Sequence, residues 1–189
     1  MRRKRETSPK ICLPTKTLCK HLQASSSSIL NTAREMYLDD ATRALIEEIL
    51  RRSCTQISCP NSALWIAEAD HLLPIVGYGP HASNFIGEYR HPLSEGIISM
   101  VHASGQPFCE NNISANPQHS SRLDLQLDIQ TEAMIAVPII SRGTIFGVIT
   151  FVHTSVANKS QQVLAFNHND LAETEFSSIL IGRILDSME

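Results

Sequence analysis

Two apolar runs in the second half of the chain set its architecture. Ala133–Ile140 and Thr144–Val152 are almost free of polar interruption, and only Ser141-Arg142-Gly143 lies between them. Two such runs joined by a short glycine-bearing turn predict a β-hairpin. In the second run both alternating sets are apolar: Ile145, Gly147, Ile149 and Phe151 on one side, Phe146, Val148 and Val152 on the other. A strand apolar on both faces is covered on both faces. The hairpin is therefore expected in the middle of a sheet, with helices or loops above and below. Such an architecture can bury a small molecule.

Upstream, a period of three and four begins at Ile29 and links Ala33, Met36, Tyr37, Ala41, Ala44, Leu45 and Ile49, one face of a helix ending near Ser53. Leu38, Ile46 and Leu50 add a second stripe, and Asp39-Asp40 and Glu47-Glu48 keep a polar side. Ala63–Ala67 and Leu72–Val76, turning at Asp70-His71, predict a second hairpin. Gly77–Gly87 reads as a loop and Gly96–Ser104 as a short helix stopped by Gly105 and Pro107. Phe108–Asn111 is expected as a short strand, and 112–130 as a long polar segment, helical from Pro117 through Leu127. A last helix begins at Asn169 or Asp170, where Asp170-x-x-Glu173 has the form of a capping box. It carries two stripes: Ala172, Phe176, Ile179, Leu180 and Ile184, and then Ile181, Leu185 and Met188. One can pack on the sheet. The other needs a cover, and a partner helix is the usual one, so a homodimer through both terminal helices is expected, with Leu185 on its outward stripe.

Length and charge refine this picture. The 189 residues suit one domain, 29–189, preceded by an arm, 1–28, that ends in four serines. The net charge of −3 conceals an asymmetry: residues 1–24 carry seven basic groups and one acid, so the arm is about +6 and the body about −9. Such an arm is a solvated, flexible tail or a contact for nucleic acid, anionic lipid or an acidic partner. The longest apolar run is about nine residues, short of the ~20 that span a bilayer, and no apolar segment follows Arg2–Arg5. A cytoplasmic protein with no membrane span is expected. Five cysteines without a secretory signal read as free thiols. Cys54-x4-Cys59 with Cys12, Cys19 and His21 could supply zinc ligands, but the pairs stand far apart and lack the tight C-x-x-C form, so no metal is expected.

The order helix, hairpin, loop, short helix, strand, variable segment, hairpin, helix resembles that of GAF domains. The likeness is carried by Gly96-Ile-Ile98, Ser104-Gly-Gln-Pro107, Asn112-Ile113 with Asn116-Pro117, Ala136-Val-Pro-Ile139, Gly143 with Ile145-Phe-Gly-Val148, and Phe166-x3-Asp170. It covers residues ~60–187. Pro138 is unusual for a central strand, yet GAF domains tolerate one there. The resemblance implies an α/β (α+β) fold: a central antiparallel sheet of about six strands with helices on both faces. It also implies a small-molecule cavity under the variable segment and a dimer through the first and last helices. Mapped onto this chain, the cavity would be bordered by Phe108, Cys109 and Asn111, by His119 and Arg122, and by Met134 and Ala136 as its floor.

The resemblance also brings specific chemistries to weigh. Cyclic-nucleotide-binding GAF domains carry Asn-Lys and then Phe-x3-Asp-Glu. Here Asn158-Lys159 precedes Phe166-x3-Asp170, but Leu171 replaces the final Glu, and Asp170 has a simpler use as a helix cap. Bilin-binding members attach the pigment through a cysteine beside a histidine. This segment has Gln118-His119 and no cysteine, so no covalent bilin is expected. Members that reduce free methionine sulfoxide use a cysteine cluster, and only Cys109 falls in that region. His119 and Arg122, one turn apart, could meet an anionic ligand. Gly77-x-Gly79 lacks a third glycine, and no Gly-x-Ser-x-Gly occurs. The expectation is a non-enzymatic sensory or regulatory module that binds an unidentified small molecule and signals to a partner. The alternatives are a redox enzyme of the free methionine sulfoxide reductase type and a ligand-free dimerisation module.

Overall fold

The structure is a computed structural model and describes residues 38–156 and 164–188. The basic arm, the start of the period at Ile29, Cys12, Cys19, His21 and Asn158-Lys159 lie outside the described residues. The elements run in the order α1 (Asp40–Gln56), β1 (Asn61–Glu68), β2 (His71–Tyr78), β3 (His91–Pro92), α2 (Gly96–Ser104), β4 (Phe108–Glu110), α3 (Arg122–Leu127), β5 (Ile129–Ser141), β6 (Thr144–Val156) and α4 (His168–Asp186), with 3₁₀ turns at Ala82–Asn84 and Ile113–Ala115. The six strands form an antiparallel sheet in the order β3-β2-β1-β6-β5-β4.

The hairpin β5–β6 sits inside that sheet, as its doubled apolar alternation requires. Its two turn residues, Arg142 (φ 50) and Gly143 (φ 74), are both left-handed. That pair matches the twist of the flanking strands. Pro138 pairs with Val148 on one side and lies past the end of β4 on the other, since β4 reaches no further along β5 than Ala136. Its carbonyl is taken by the Ser178 hydroxyl.

Alternation along the strands divides the core in two. Leu64, Ile66, Ile135, Val137, Ile149 and Phe151 face α1 and α4, meeting Ile46, Leu50, Ile181 and Leu185. Ala63, Trp65, Met134, Ala136 and Val148 face the other way, toward Phe85, Tyr89, Ile97, Ile98, Val101 and Ile113. Where α1 and α4 meet, Ser53 Oγ and Ser177 Oγ share a buried hydrogen bond of 2.7 Å.

Several boundaries differ from the expected ones, each for a local reason. Leu38 and Asp39 are not helical; Asp39 is the N-cap of α1, its carboxylate accepting the Thr42 amide at 2.6 Å, and the helix runs on to Gln56. In α4 the N-cap is Asn167, which accepts from the amides of Asn169 and Asp170. Asp170 is its reciprocal partner, accepting from the Asn167 amide at 2.8 Å. The capping box therefore sits three residues earlier than read, because Asn caps as well as Asp. In the variable segment the helix is confined to Arg122–Leu127. Asn116 ends the helical option at Pro117 by accepting the Gln118 amide on its side chain and the His119 amide on its carbonyl. On α4 the stripe with Ile181 and Leu185 is buried on the sheet. The stripe that faces outward is Phe176, Ile179 and Leu180, 62%, 56% and 39% exposed. Leu185 is therefore not an outward position.

Candidate ligand-binding site

On the face away from α1 and α4, residues 78–98 and 119–131 arch over β1, β5 and β6 and border a cavity of about 90 Å³. Its apolar wall is aromatic. Trp65 stacks on Phe85 with ring centres 5.9 Å apart, and Tyr89 meets Trp65 edge-on at 6.2 Å. The Trp65 indole N–H donates to Thr150 Oγ1 at 2.9 Å, which fixes the ring across β1 and β6. Met134, Ile129 and Val152 rise from the strands, and Leu123 and Leu127 close from α3.

One end of the cavity is polar. His91 Nε2 donates to the Glu95 carbonyl at 2.9 Å, and burial lowers the pKa of the ring, keeping it neutral. Gly96 follows at φ +83, and a Cβ there would lie 2.6 Å from His91 Nε2. Both the conformation and the space demand glycine. Asp124 is buried and held by three donors: the Thr131 amide and hydroxyl, each at 2.8 Å, and His119 Nε2 at 3.1 Å. Glu95 turns its carboxylate outward to Ser120 and Arg122, so α2 begins without a side-chain cap. One hydroxyl of the cavity wall, Tyr89 Oη, is buried with no partner among the described residues. Burial raises the Tyr89 pKa; Arg122 opposes the shift, and Glu95 and Asp124 add to it. Buried polar atoms are nearly always satisfied in folded proteins, so each orphan asks what would complete it.

A family model for the GAF domain matches residues 41–183, the greater part of the chain. The chain belongs to the GAF domain family. Solved structures agree on the fold. The GAF domain of a phosphoenolpyruvate-protein phosphotransferase from Coxiella burnetii superposes with a TM-score of 0.63 at 15% identity, covering 85% of this chain and 90% of that one. The A. aeolicus nlh2 GAF domain, in an inactive state, gives 0.62 at 19% identity, covering 89% and 99%. The free methionine-R-sulfoxide reductase of Neisseria meningitidis, in complex with its substrate, gives 0.60 at 15% identity, covering 95% of each chain. No curated protein matches the sequence. Among the described residues, no helix is long and apolar enough to cross a membrane.

The GAF cavity takes two of the seven residues expected around it, His119 and Met134. Ala136 is fully buried on the same face, but it pairs with Phe108 of β4 within the core cluster of Val101 and does not line the cavity. Arg122 is exposed at the rim and paired with Glu95. Asn111 serves structure: its side chain donates to the Phe166 carbonyl and accepts the Phe166 amide, at 2.9 and 2.7 Å. Cys109 is exposed on β4, and burial of its thiol group together with nearby Asp170 raises its pKa, which keeps it protonated. Tyr89, His91 and Asp124 were missed. Their one signal in the sequence is Tyr89-Arg-His91, an aromatic and a histidine between Gly87 and Pro92.

Proposed function

We propose that this GAF domain is a sensory or regulatory module without catalytic activity. A small molecule fills the cavity, and the signal leaves through the terminal helices of a homodimer. The observation that carries this reading is the aromatic cavity with Tyr89 Oη left unsatisfied on its wall. A close-packed, self-sufficient core would have neither the space nor the orphan hydroxyl. A ligand that binds one conformation better shifts the population toward it. The outward stripe Phe176, Ile179 and Leu180 on α4, with exposed Leu45 on α1, supplies the surface by which a second copy would respond.

Native mass spectrometry of freshly purified protein tests both halves together. The expected result is a dimer carrying a small-molecule mass, and a folded monomer for Ile179→Glu. An empty dimer that no metabolite stabilises would favour a ligand-free dimerisation module. Turnover of free methionine sulfoxide that is lost in Cys109→Ser would favour the redox alternative.

A further inference from the structure

The polar end of the cavity is rich in donors. Gly96, Ile97 and Ile98 all line the cavity, and their amides open α2, a helix of nine residues. First-turn amides have no partner within the helix, and a helix start carries roughly half a positive charge. The usual remedy, a capping side chain, is missing here, because Glu95 at the N-cap is committed to Ser120 and Arg122. A second, independent donor stands beside them. Tyr89 is only 9% exposed, and its hydroxyl has no partner. Its ring centre lies 6.3 Å from that of His91, and His91 in turn fills the space where a Cβ of Gly96 would be. Tyr89, His91 and the start of α2 are thus contiguous. The nearest buried acid, Asp124, has both carboxylate oxygens engaged by its three donors.

Size narrows the choice. A cavity of ~150 Å³ takes benzene, so about 90 Å³ holds four or five non-hydrogen atoms. We propose that the cavity binds a short-chain monocarboxylate of two or three carbons, its carboxylate received by the first-turn amides of α2 and the Tyr89 hydroxyl and its alkyl end against Trp65 and Met134. This rests on the sensory reading and names the ligand class for the same cavity.

The test is titration of the full chain with sodium acetate and sodium propionate, at constant ionic strength, against acetamide, propionamide and ethylammonium. The carboxylates should raise the melting temperature and bind at least tenfold more tightly than the amides of the same shape. Amide resonances of Gly96–Ile98 should move on acetate addition. Tyr89→Phe keeps the ring, should melt no lower than the parent, and should weaken acetate at least fivefold. Amides or ethylammonium binding as well as acetate would overturn the ligand class and leave the sensory reading standing. Unmoved Gly96–Ile98 resonances, or undiminished acetate binding by Tyr89→Phe, would overturn the placement. No binding by any probe, with no mass retained in native spectra, would overturn both readings.

Discussion

On the face of the sheet covered by α1 and α4, Ile135, Ile149 and Phe151 are fully buried among other apolar side chains, and the serine pair where the helices meet is closed at 2.7 Å. On the opposite face, aromatic rings stand around about 90 Å³ of space, and the buried Tyr89 hydroxyl has nothing to bond. Each unpartnered polar atom costs roughly 1–3 kcal/mol, and empty space forfeits dispersion contacts. One face of a single sheet thus supplies stability while the other surrenders some of it. Local rules are broken in this way where a protein has something else to do with the space.

The contrast can be broken most sharply at Leu185. A carboxylate there has no solvent and no partner, so Leu185→Glu should cost about 4 kcal/mol or more and leave a chain that is unfolded by circular dichroism. A folded Leu185→Glu monomer would show that α4 does not seal this face. Phe151→Ala comes next, at about 3–5 kcal/mol in urea denaturation, because its neighbours are held by two helices and cannot collapse into the void. Met134→Ala borders space that already exists, and is expected near the lower end of the ~2–5 kcal/mol range for such truncations. Equal losses at the two positions would mean that the cavity face is packed as tightly as the other.

A matched pair of hydroxyls sharpens the comparison at smaller magnitude. Ser177→Ala breaks the bond to Ser53 and should cost about 1 kcal/mol. Tyr89→Phe removes the orphan hydroxyl of the cavity face and should be neutral or slightly stabilising in the absence of ligand. The smallest effect is a slope with pH. Burial depresses the pKa of His91 on the cavity side and of His153, whose ring lies tilted against Phe166 with centres 4.6 Å apart. The unfolded chain takes up these protons near the ordinary 6.5 while the native state refuses them. Stability is therefore held above that pH and falls as pH drops below it. Melting curves between pH 7.5 and about 5 should show the decline, and His153→Gln should flatten it.

The fold was legible because its signals are local. The runs Ala133–Ile140 and Thr144–Val152 announced a central hairpin, and the helix Gly96–Ser104 was bracketed by its own glycines and Pro107. Half of the cavity was not legible. The segment with His119 and the strand with Met134 are near each other in sequence and were found. Tyr89 and His91 reach the same space from about thirty to forty-five residues upstream, through a loop with no periodicity to read. Ala136 and Asn111 were misplaced for another reason. Alternation tells which face a residue is on, not whether a neighbour such as Phe108 packs against it, and the polar side chain of Asn111 is spent on backbone.

Asn111 has a mechanical meaning. Its amide donates to and accepts from the backbone of Phe166, as a strand residue would in a ladder, so it acts as a detached rung between the edge of the sheet and the entry to α4. One residue later comes Asn167, which starts that helix. A displacement of β4 is therefore passed through these two bonds to the capped first turn of α4.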